Sequence, residues 1–333
     1  MTKKVLVIGG SGFVGTHVCE KLVRLGWHVT VPSRRRAKVP HLLTLPFMTV
    51  LELDIHDEAA LTRAMAGHDA VVNLVAILHG TPEQFEKVHV ALPQKLARAC
   101  LANHVKTLVH ISALGADAQH PESAPSLYLR SKGQGEAVLM QAAGLGAQAA
   151  FDLTILRPSV IFGAEDKFLN LFAKLQSVFP FMPLASAHAR FQPVWVEDVA
   201  AAVVQRLART TTLTRAETPQ VIEACGPEVF TLQELVKLSA QLSGIGEGRG
   251  RPVIPLPQWM GRLQARVMEL APGGPLMSRD NLDSMQRDNV ASGLLPGLQS
   301  LGIEPAALRP IAQDYLTKNH ADRGLLGIRR RAR

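Results

Sequence analysis

The sequence predicts an α/β fold, a doubly wound parallel sheet followed by a smaller, interwoven C-terminal α+β lobe. Three observations predict it. From Lys4 to Leu156, short β-rich runs alternate with amphipathic helical stretches, the pattern that builds a parallel sheet with helices on both faces. The strands are near-continuous in Val, Leu and Ile, as strands covered on both sides must be. After about Pro158, prolines and glycines become frequent and the alternation loosens.

Taken in order, Lys4–Ile8 reads as a strand and Gly12–Leu25 as a helix ended by Gly26. Strands at His28–Val31 and Val50–Leu53 follow, then a helix over Glu58–Met65 and a strand over Ala70–Val75. Thr81–Asn103 is mainly helical, Leu108–Ser112 a strand, Tyr128–Ala142 a helix and Leu153–Leu156 a strand. In the second half Val221–Ala224 reads as a strand. Thr231–Leu242 is a helix opened by a capping box of Thr231 and Glu234. A Gly/Arg-rich loop spans Gly244 to Arg251. Amphipathic helices are predicted over Trp259–Leu270 and Pro305–Leu316. The expected organisation is a dinucleotide-binding domain over 1–158, a substrate or partner lobe over 159–320 with crossovers back to the sheet, and a basic tail over 321–333.

Composition narrows the function. Of 333 residues, 47% are hydrophobic and 19% charged, which supports a sizeable core and argues against bulk disorder. The net charge of +8 fits a polyanionic ligand or an anionic surface. Arginines cluster at Arg34, Arg35 and Arg36, and again at Arg329, Arg330, Arg331 and Arg333. Aromatic residues make up only 5% and are not interleaved with the basic ones, which argues against nucleic acid. Three widely spaced cysteines, Cys19, Cys100 and Cys225, predict free thiols in a reducing compartment. No metal-ligand spacing is present among the histidines. The apolar run after Met1 breaks at Gly9 and reads as a strand, not a leader. No stretch is long enough to cross a bilayer; the longest, Ala70 to Leu78, contains Asn73. The expectation is a cytoplasmic protein that rests on the inner face of the cytoplasmic membrane, through the Trp259–Leu270 helix with Arg262 and Arg266 and through the terminal arginines.

The run Gly9-Gly10-Ser11-Gly12-Phe13-Val14-Gly15 sits directly between a strand and a helix. In such a turn the first glycine permits the tight bend, the second lets backbone approach a pyrophosphate, and the third lets helix pack on strand. The helix N-terminus then favours the phosphates. The pattern predicts a Rossmann-type dinucleotide site. At the end of the second strand an NAD site usually carries an acid for the ribose 2′-OH. Here the chain reads Ser33-Arg34-Arg35, and guanidinium groups pair with a 2′-phosphate. NADPH is therefore the expected cofactor, with NAD(H) as the alternative.

Tyr128 and Lys132 lie four apart on a predicted helix and so share a face. A phenol is a poor acid–base group near neutrality, and a neighbouring ammonium is expected to lower its pKa. The lysine can also hydrogen-bond a cofactor ribose.

With these motifs the chain resembles the extended, atypical branch of the short-chain dehydrogenase/reductase superfamily. Asp54, Asn73-Leu74-Val75-Ala76, Arg157-Pro158-Ser159-Val160 and Pro193–Val199 fall where that superfamily places its motifs. Tyr128-Leu129-Arg130-Ser131-Lys132 with Gly135-Glu136 is similar to a narrower group, the NAD(P)H-binding accessory subunits of respiratory complex I. So are Ile161–Asn170 and the stretch from Leu295 to Ile303. The resemblance implies Gly9, Gly12, Phe13, Val14 and Gly15 at the pyrophosphate, and Arg34 with Arg35 at the 2′-phosphate. It implies Asp54 and Ile55 beside adenine, Leu74, Val75 and Ala76 along the ribose, and Tyr128, Lys132, Pro158 and Val160 toward the nicotinamide. Ser112, Tyr128 and Lys132 would be the catalytic set of an oxidoreductase.

One departure matters. Active members carry several Ser/Thr residues after the fifth strand, one of which polarises the substrate carbonyl. Here only Ser112 remains in His110-Ile111-Ser112-Ala113-Leu114-Gly115. Two readings follow: a protein that holds NADPH in a structural or sensing role at a membrane respiratory or quinone-linked assembly, and a working NADPH-dependent oxidoreductase on a carbonyl or quinone. A sugar-nucleotide epimerase or dehydratase is the weaker third, since the second half carries no clear sugar-nucleotide signature.

Overall fold

A computed structural model describes residues 2–146, 149–209, 219–246, 248–270 and 276–317. The predicted basic tail, with Arg329 to Arg333, lies outside them. The chain forms two compact units. The first comprises Met1–Pro158, Glu197–Ala224 and Ala291–Glu304, and the second comprises Ser159–Val196, Cys225–Val290 and Pro305–Arg333.

The first unit is built on a seven-stranded parallel sheet. Its strands are β1 (Lys4–Ile8), β2 (His28–Ser33), β3 (Met48–Glu52), β4 (Ala70–Asn73), β5 (Thr107–Ile111), β6 (Asp152–Pro158) and β11 (Gln220–Ala224). They lie in the order β11-β6-β5-β4-β1-β2-β3, with every pairing parallel. The chain starts in the middle, runs outward through β2 and β3, then returns to the other side of β1 with β4. That reversal makes the gap between β1 and β4 the topological switch point, where ligands of such sheets settle against the carboxyl ends of the strands.

Helices α1 (Phe13–Arg24), the short α2 (Pro40–Leu43) and α3 (Glu58–Met65) connect the first strands. The predicted helix over Thr81–Asn103 is instead three pieces: α4 (Pro82–Phe85), a π-helical segment Glu86–Ala91, and α5 (Leu92–Ala102). Thr81 opens it with a capping box to Gln84, and Pro93 lies in the first turn of α5, directly after the π-helical segment. Helix α6 (Leu127–Ala143) is capped by Ser126, whose hydroxyl accepts from Leu129 N–H. Leu6, Ile8, Leu61, Val71, Leu92, Leu96, Leu108, Leu139 and Leu153 pack into one buried cluster. This cluster joins one sheet face to α3, α5 and α6.

The second unit contains short strand pairs and helices. Strands β7 (Ile161–Phe162) and β10 (Val194–Trp195) pair in parallel, as do β8 (Met182–Ala185) and β13 (Val253–Leu256). Strand β9 (Arg190–Phe191) pairs antiparallel with β12 (Phe230–Thr231). Its helices are α7 (Leu169–Val178), α9 (Leu232–Leu242), α10 (Gln258–Glu269), α11 (Arg279–Ser284) and α12 (308–317). Helix α8 (Val196–Arg209) begins at the boundary and belongs almost wholly to the first unit. The core of the second unit collects Phe162, Leu169, Leu184, Leu232, Leu235, Leu308 and Leu316. Within it, Tyr315 donates to Asp166 Oδ2 at 2.7 Å, and Asp166 in turn accepts from the N–H groups of Gly163, Phe168 and Asn170.

None of the three cysteines forms a disulfide. Burial pushes the Cys19 and Cys100 thiols up to about 12, which leaves both as inert core residues. No helix among the described residues is long and apolar enough to cross a membrane.

Candidate functional site

The glycine turn lies at the carboxyl end of β1, beside the switch point. Gly9 has φ +83°, a left-handed conformation that a side chain disfavours. A Cβ on Gly15 would stand 2.3 Å from the Gly9 carbonyl oxygen and 2.5 Å from Gly10 Cα, so the third glycine is required by backbone contact within the turn. Gly12 differs. Its Cβ would meet only the Gly9 oxygen, at 3.3 Å, so little in the protein itself demands glycine there. Gly12 is the N-cap of α1 and provides no side-chain cap. The first turn, with half-buried Phe13 and Val14, therefore presents backbone N–H groups and the positive end of the helix to an anion. The cradle fits a pyrophosphate.

The other predicted cofactor residues fall on loops beside this turn. Arg34 and Arg35 leave the end of β2, next to β1 in the sheet, with exposed side chains. Sequence reasoning missed Glu52 here. It pairs in register with Ser33 across β2 and β3, and its carboxylate accepts from Arg36 N–H at 3.3 Å. Asp54 is exposed, with a carboxylate that accepts from His56 N–H at 3.0 Å. Ile55 packs half-buried on the core. Leu74, Val75 and Ala76 leave the end of β4, across the switch point from Gly9. Val75 N–H is held by Asn73 Oδ1 at 3.2 Å. Pro158 ends β6, and its carbonyl accepts from Leu114 N–H at 3.0 Å. Val160 belongs to the second unit, where its N–H is taken by Asn289 Oδ1.

Tyr128 and Lys132 share a face of α6 as expected, but their electrostatics are the reverse of the sequence expectation. Lys132 is 1% exposed, and its Nζ donates to the Ile111 carbonyl on β5 at 2.8 Å. Burial lowers the ammonium to about 8, although Glu136 pulls the other way. The Tyr128 phenol is pushed up to about 12, also by burial. Desolvation, not the neighbouring ammonium, controls both groups.

Beneath this pair lie two buried histidines that the sequence did not single out. His89, on the π-helical segment, accepts from Ile77 N–H at Nε2, 3.1 Å away. Its proton must then sit on Nδ1, which reaches Ser131 Oγ at 2.8 Å; Ser131 donates in turn to the Tyr128 carbonyl. One ring thus ties the loop after β4 to α6. It also stacks edge-on with Tyr128, centroids 5.5 Å apart. His110, on β5, pairs at Nδ1 with the Asn73 amide at 3.0 Å. Asn73 Oδ1 is already engaged by Val75 N–H, so the amide donates and the His110 proton lies on Nε2. That nitrogen and Ser112 Oγ are both buried without a hydrogen-bond partner, a rare condition in a folded core. Ala113 and Leu114 are buried where the resemblance would place hydroxyls.

Burial holds His89 at about 3, against an ordinary value of 6.5, and His110 well below its ordinary value. Below pH 6.5 the unfolded chain takes up protons that the folded chain refuses, so both rings lower stability as pH falls from 6.5 toward 3. Each contributes up to about 1.4 kcal/mol per pH unit. Thermal denaturation of His89→Gln is therefore expected to show a shallower fall in Tm between about pH 7 and about pH 5 than the parent. Parallel slopes would mean that His89 is not a source of the acid sensitivity.

The sequence matches the NAD dependent epimerase/dehydratase family over residues 5–218, which is most of the first unit together with the start of the second. The chain belongs to this family. It is thus an extended short-chain dehydrogenase/reductase by sequence, and its fold agrees. The dTDP-glucose 4,6-dehydratase DesIV of Streptomyces venezuelae, a structure with NAD and TYD bound, superposes with a TM-score of 0.73 at 20% identity, covering 97% of this chain and 98% of that one. Within the family the chain is similar to a subunit group. It is 30% identical over 333 residues to NADH dehydrogenase (ubiquinone) 1 alpha subcomplex subunit 9, mitochondrial, of Mus musculus, covering 96% of this chain and 81% of that one. It is 27% identical to the NADH-ubiquinone oxidoreductase 40 kDa subunit, mitochondrial, of Neurospora crassa, covering 93% of this chain and 78% of that one.

Proposed function

We propose that this family member binds NADPH on the Gly9–Gly15 turn and holds it as a resident group in a respiratory or quinone-linked assembly, without turning it over. The observation that carries the reading is the state of the would-be catalytic pair. Lys132 is 1% exposed, with its Nζ held by the Ile111 carbonyl at 2.8 Å, and burial raises the Tyr128 phenol, which disfavours the phenolate that an oxidising turnover would use as its base. The loss of hydroxyls at Ala113 and Leu114 supports it further, since only Ser112 is left to polarise a carbonyl. Likeness to subunits of NADH dehydrogenase supports the setting.

In this reading Gly12, Phe13 and Val14 hold the pyrophosphate, and Arg34 and Arg35 the 2′-phosphate. Leu74, Val75 and Ala76 line the ribose, Lys132 reaches the nicotinamide ribose, and Tyr128 with Pro158 closes that end. NADPH supplies hydride chemistry wherever it is bound; here the chain's own residues would bind and orient it.

Nucleotide extracted from the purified protein tests the reading. About one equivalent of NADP(H) per chain is expected, and Tyr128→Phe is expected to retain it. The second reading, a working NADPH-dependent oxidoreductase, is favoured by the retained Tyr128/Lys132 pair. Steady-state oxidation that Tyr128→Phe abolishes would establish it instead.

A further inference from the structure

We infer that helix α10 is a docking surface for an anionic lipid bilayer. The helix is mounted inside out. Its buried side is made of small residues: Gly261 and Ala265 face Ala185 on β8 and Leu282 on α11. A Cβ on Gly261 would come within 2.5 Å of the Ala185 Cβ, so the helix seats by close backbone approach. The large apolar residues point the other way. Trp259 is 68% exposed, Leu263 58%, Val267 63% and Leu270 82%. Spaced by four, four and three, they form one stripe on an arc of about 80°. A helix stabilised only by its own fold would bury that stripe.

Two features choose the occupant. Arg266 and Arg262 border the stripe on one edge, Arg262 fixed by Asp283 at 2.9 Å, and the chain carries a net charge of +8. Tryptophan and leucine beside arginine is the composition of helices that lie in a bilayer interface, and each basic side chain near anionic lipid adds attraction. The second feature is size. The stripe is about 16 Å long, so the helix face offers roughly 200 Å², well short of the ~800 Å² per partner that a stable dimer needs. A bilayer imposes no such requirement, because it has no fixed shape to match. Exposed Phe179 and Phe181, just before β8, and Ile254 on its partner β13 add apolar surface on the elements that carry α10. Docking of this kind is independent of which dinucleotide the first unit binds.

Co-sedimentation of the full chain with vesicles tests it. Phosphatidylcholine vesicles containing about a third phosphatidylglycerol are expected to retain the protein, and pure phosphatidylcholine much less. Trp259 emission is expected to shift to the blue on binding, a shift absent in Trp259→Phe. The triple variant Trp259→Ser/Leu263→Ser/Val267→Ser is expected to lose about tenfold or more in partition, and Arg266→Glu to lose binding selectively on the anionic vesicles. NADPH affinity and Tm serve as controls, since all four side chains are exposed. Partition of the triple variant equal to the parent overturns the inference. So does a parent that sediments as a dimer and a triple variant that sediments as a monomer, which would make the stripe a contact between copies.

Discussion

Gly15→Ala is expected to abolish dinucleotide binding and to lower Tm, whereas Gly12→Ala is expected to weaken binding about tenfold or more and to leave Tm nearly unchanged. The two glycines belong to one motif, but their constraints have different origins. At Gly15 the added carbon would lie 2.3 Å from the Gly9 oxygen and 2.5 Å from Gly10 Cα. Both obstacles are backbone, so β1 and α1 must separate. Overpacking of that kind costs ~1–3 kcal/mol or more, which corresponds to a Tm fall of about 2–5 °C or more in a chain of this size. At Gly12 the nearest obstacle is one oxygen at 3.3 Å, an approach that a small shift relieves. The apo protein should therefore keep its Tm within about 1–2 °C. What a methyl group there would block is the approach of a phosphate to the uncapped N-terminus of α1, so affinity should fall by about tenfold or more. Differential scanning fluorimetry with and without NADPH reads both. Equal Tm losses for the two variants would mean that Gly12, too, is a purely structural glycine.

Replacing Arg34 and Arg35 together by alanine is expected to weaken NADPH about 100-fold or more while changing NADH less than about twofold. Each guanidinium that pairs with the 2′-phosphate makes a charge-assisted bond of ~1.5–3 kcal/mol, and NADH has no phosphate there to lose. Both side chains are exposed at the end of β2, so the variant should fold normally. Glu52 gives the comparison an internal check. It lies in register with Ser33 and is occupied by Arg36 N–H. If that carboxylate served the ribose 2′-OH, the parent would prefer NADH and Glu52→Gln would weaken NADH. Titration of both cofactors by quenching of protein fluorescence separates the cases.

Much of the first unit was legible because its signals are local. A parallel sheet makes buried strands into apolar runs, and the Gly9–Gly15 turn falls between such a run and a helix, so motif and context agree. The break in the helix over Thr81–Asn103 was not legible. Nothing in Glu86–Ala91 departs from helical periodicity, and the π-helical turn appears only where His89 must reach Ile77 and Ser131 at once. The short strands of the second unit, several only two residues long, are below the length at which alternation can be counted. At the site, spacing placed Tyr128 and Lys132 on one face correctly, but could not say how deeply that face is buried. Burial then reversed the expected effect on the phenol. His110 and Asn73 meet across neighbouring strands, a pairing fixed by register between β4 and β5, which no local pattern carries.

A dinucleotide that the Gly9–Gly15 turn holds and does not consume has one direct signature. The purified chain is loaded with one equivalent of NADPH, and the reduced nicotinamide is followed by absorbance after a short-chain quinone, or a panel of carbonyl compounds, is added in excess. A flat trace over many minutes is expected, with the nucleotide recovered reduced and still bound. Rapid loss of the reduced signal in a single turnover, slowed at least about a hundredfold by Tyr128→Phe, would contradict it and make the chain a working reductase.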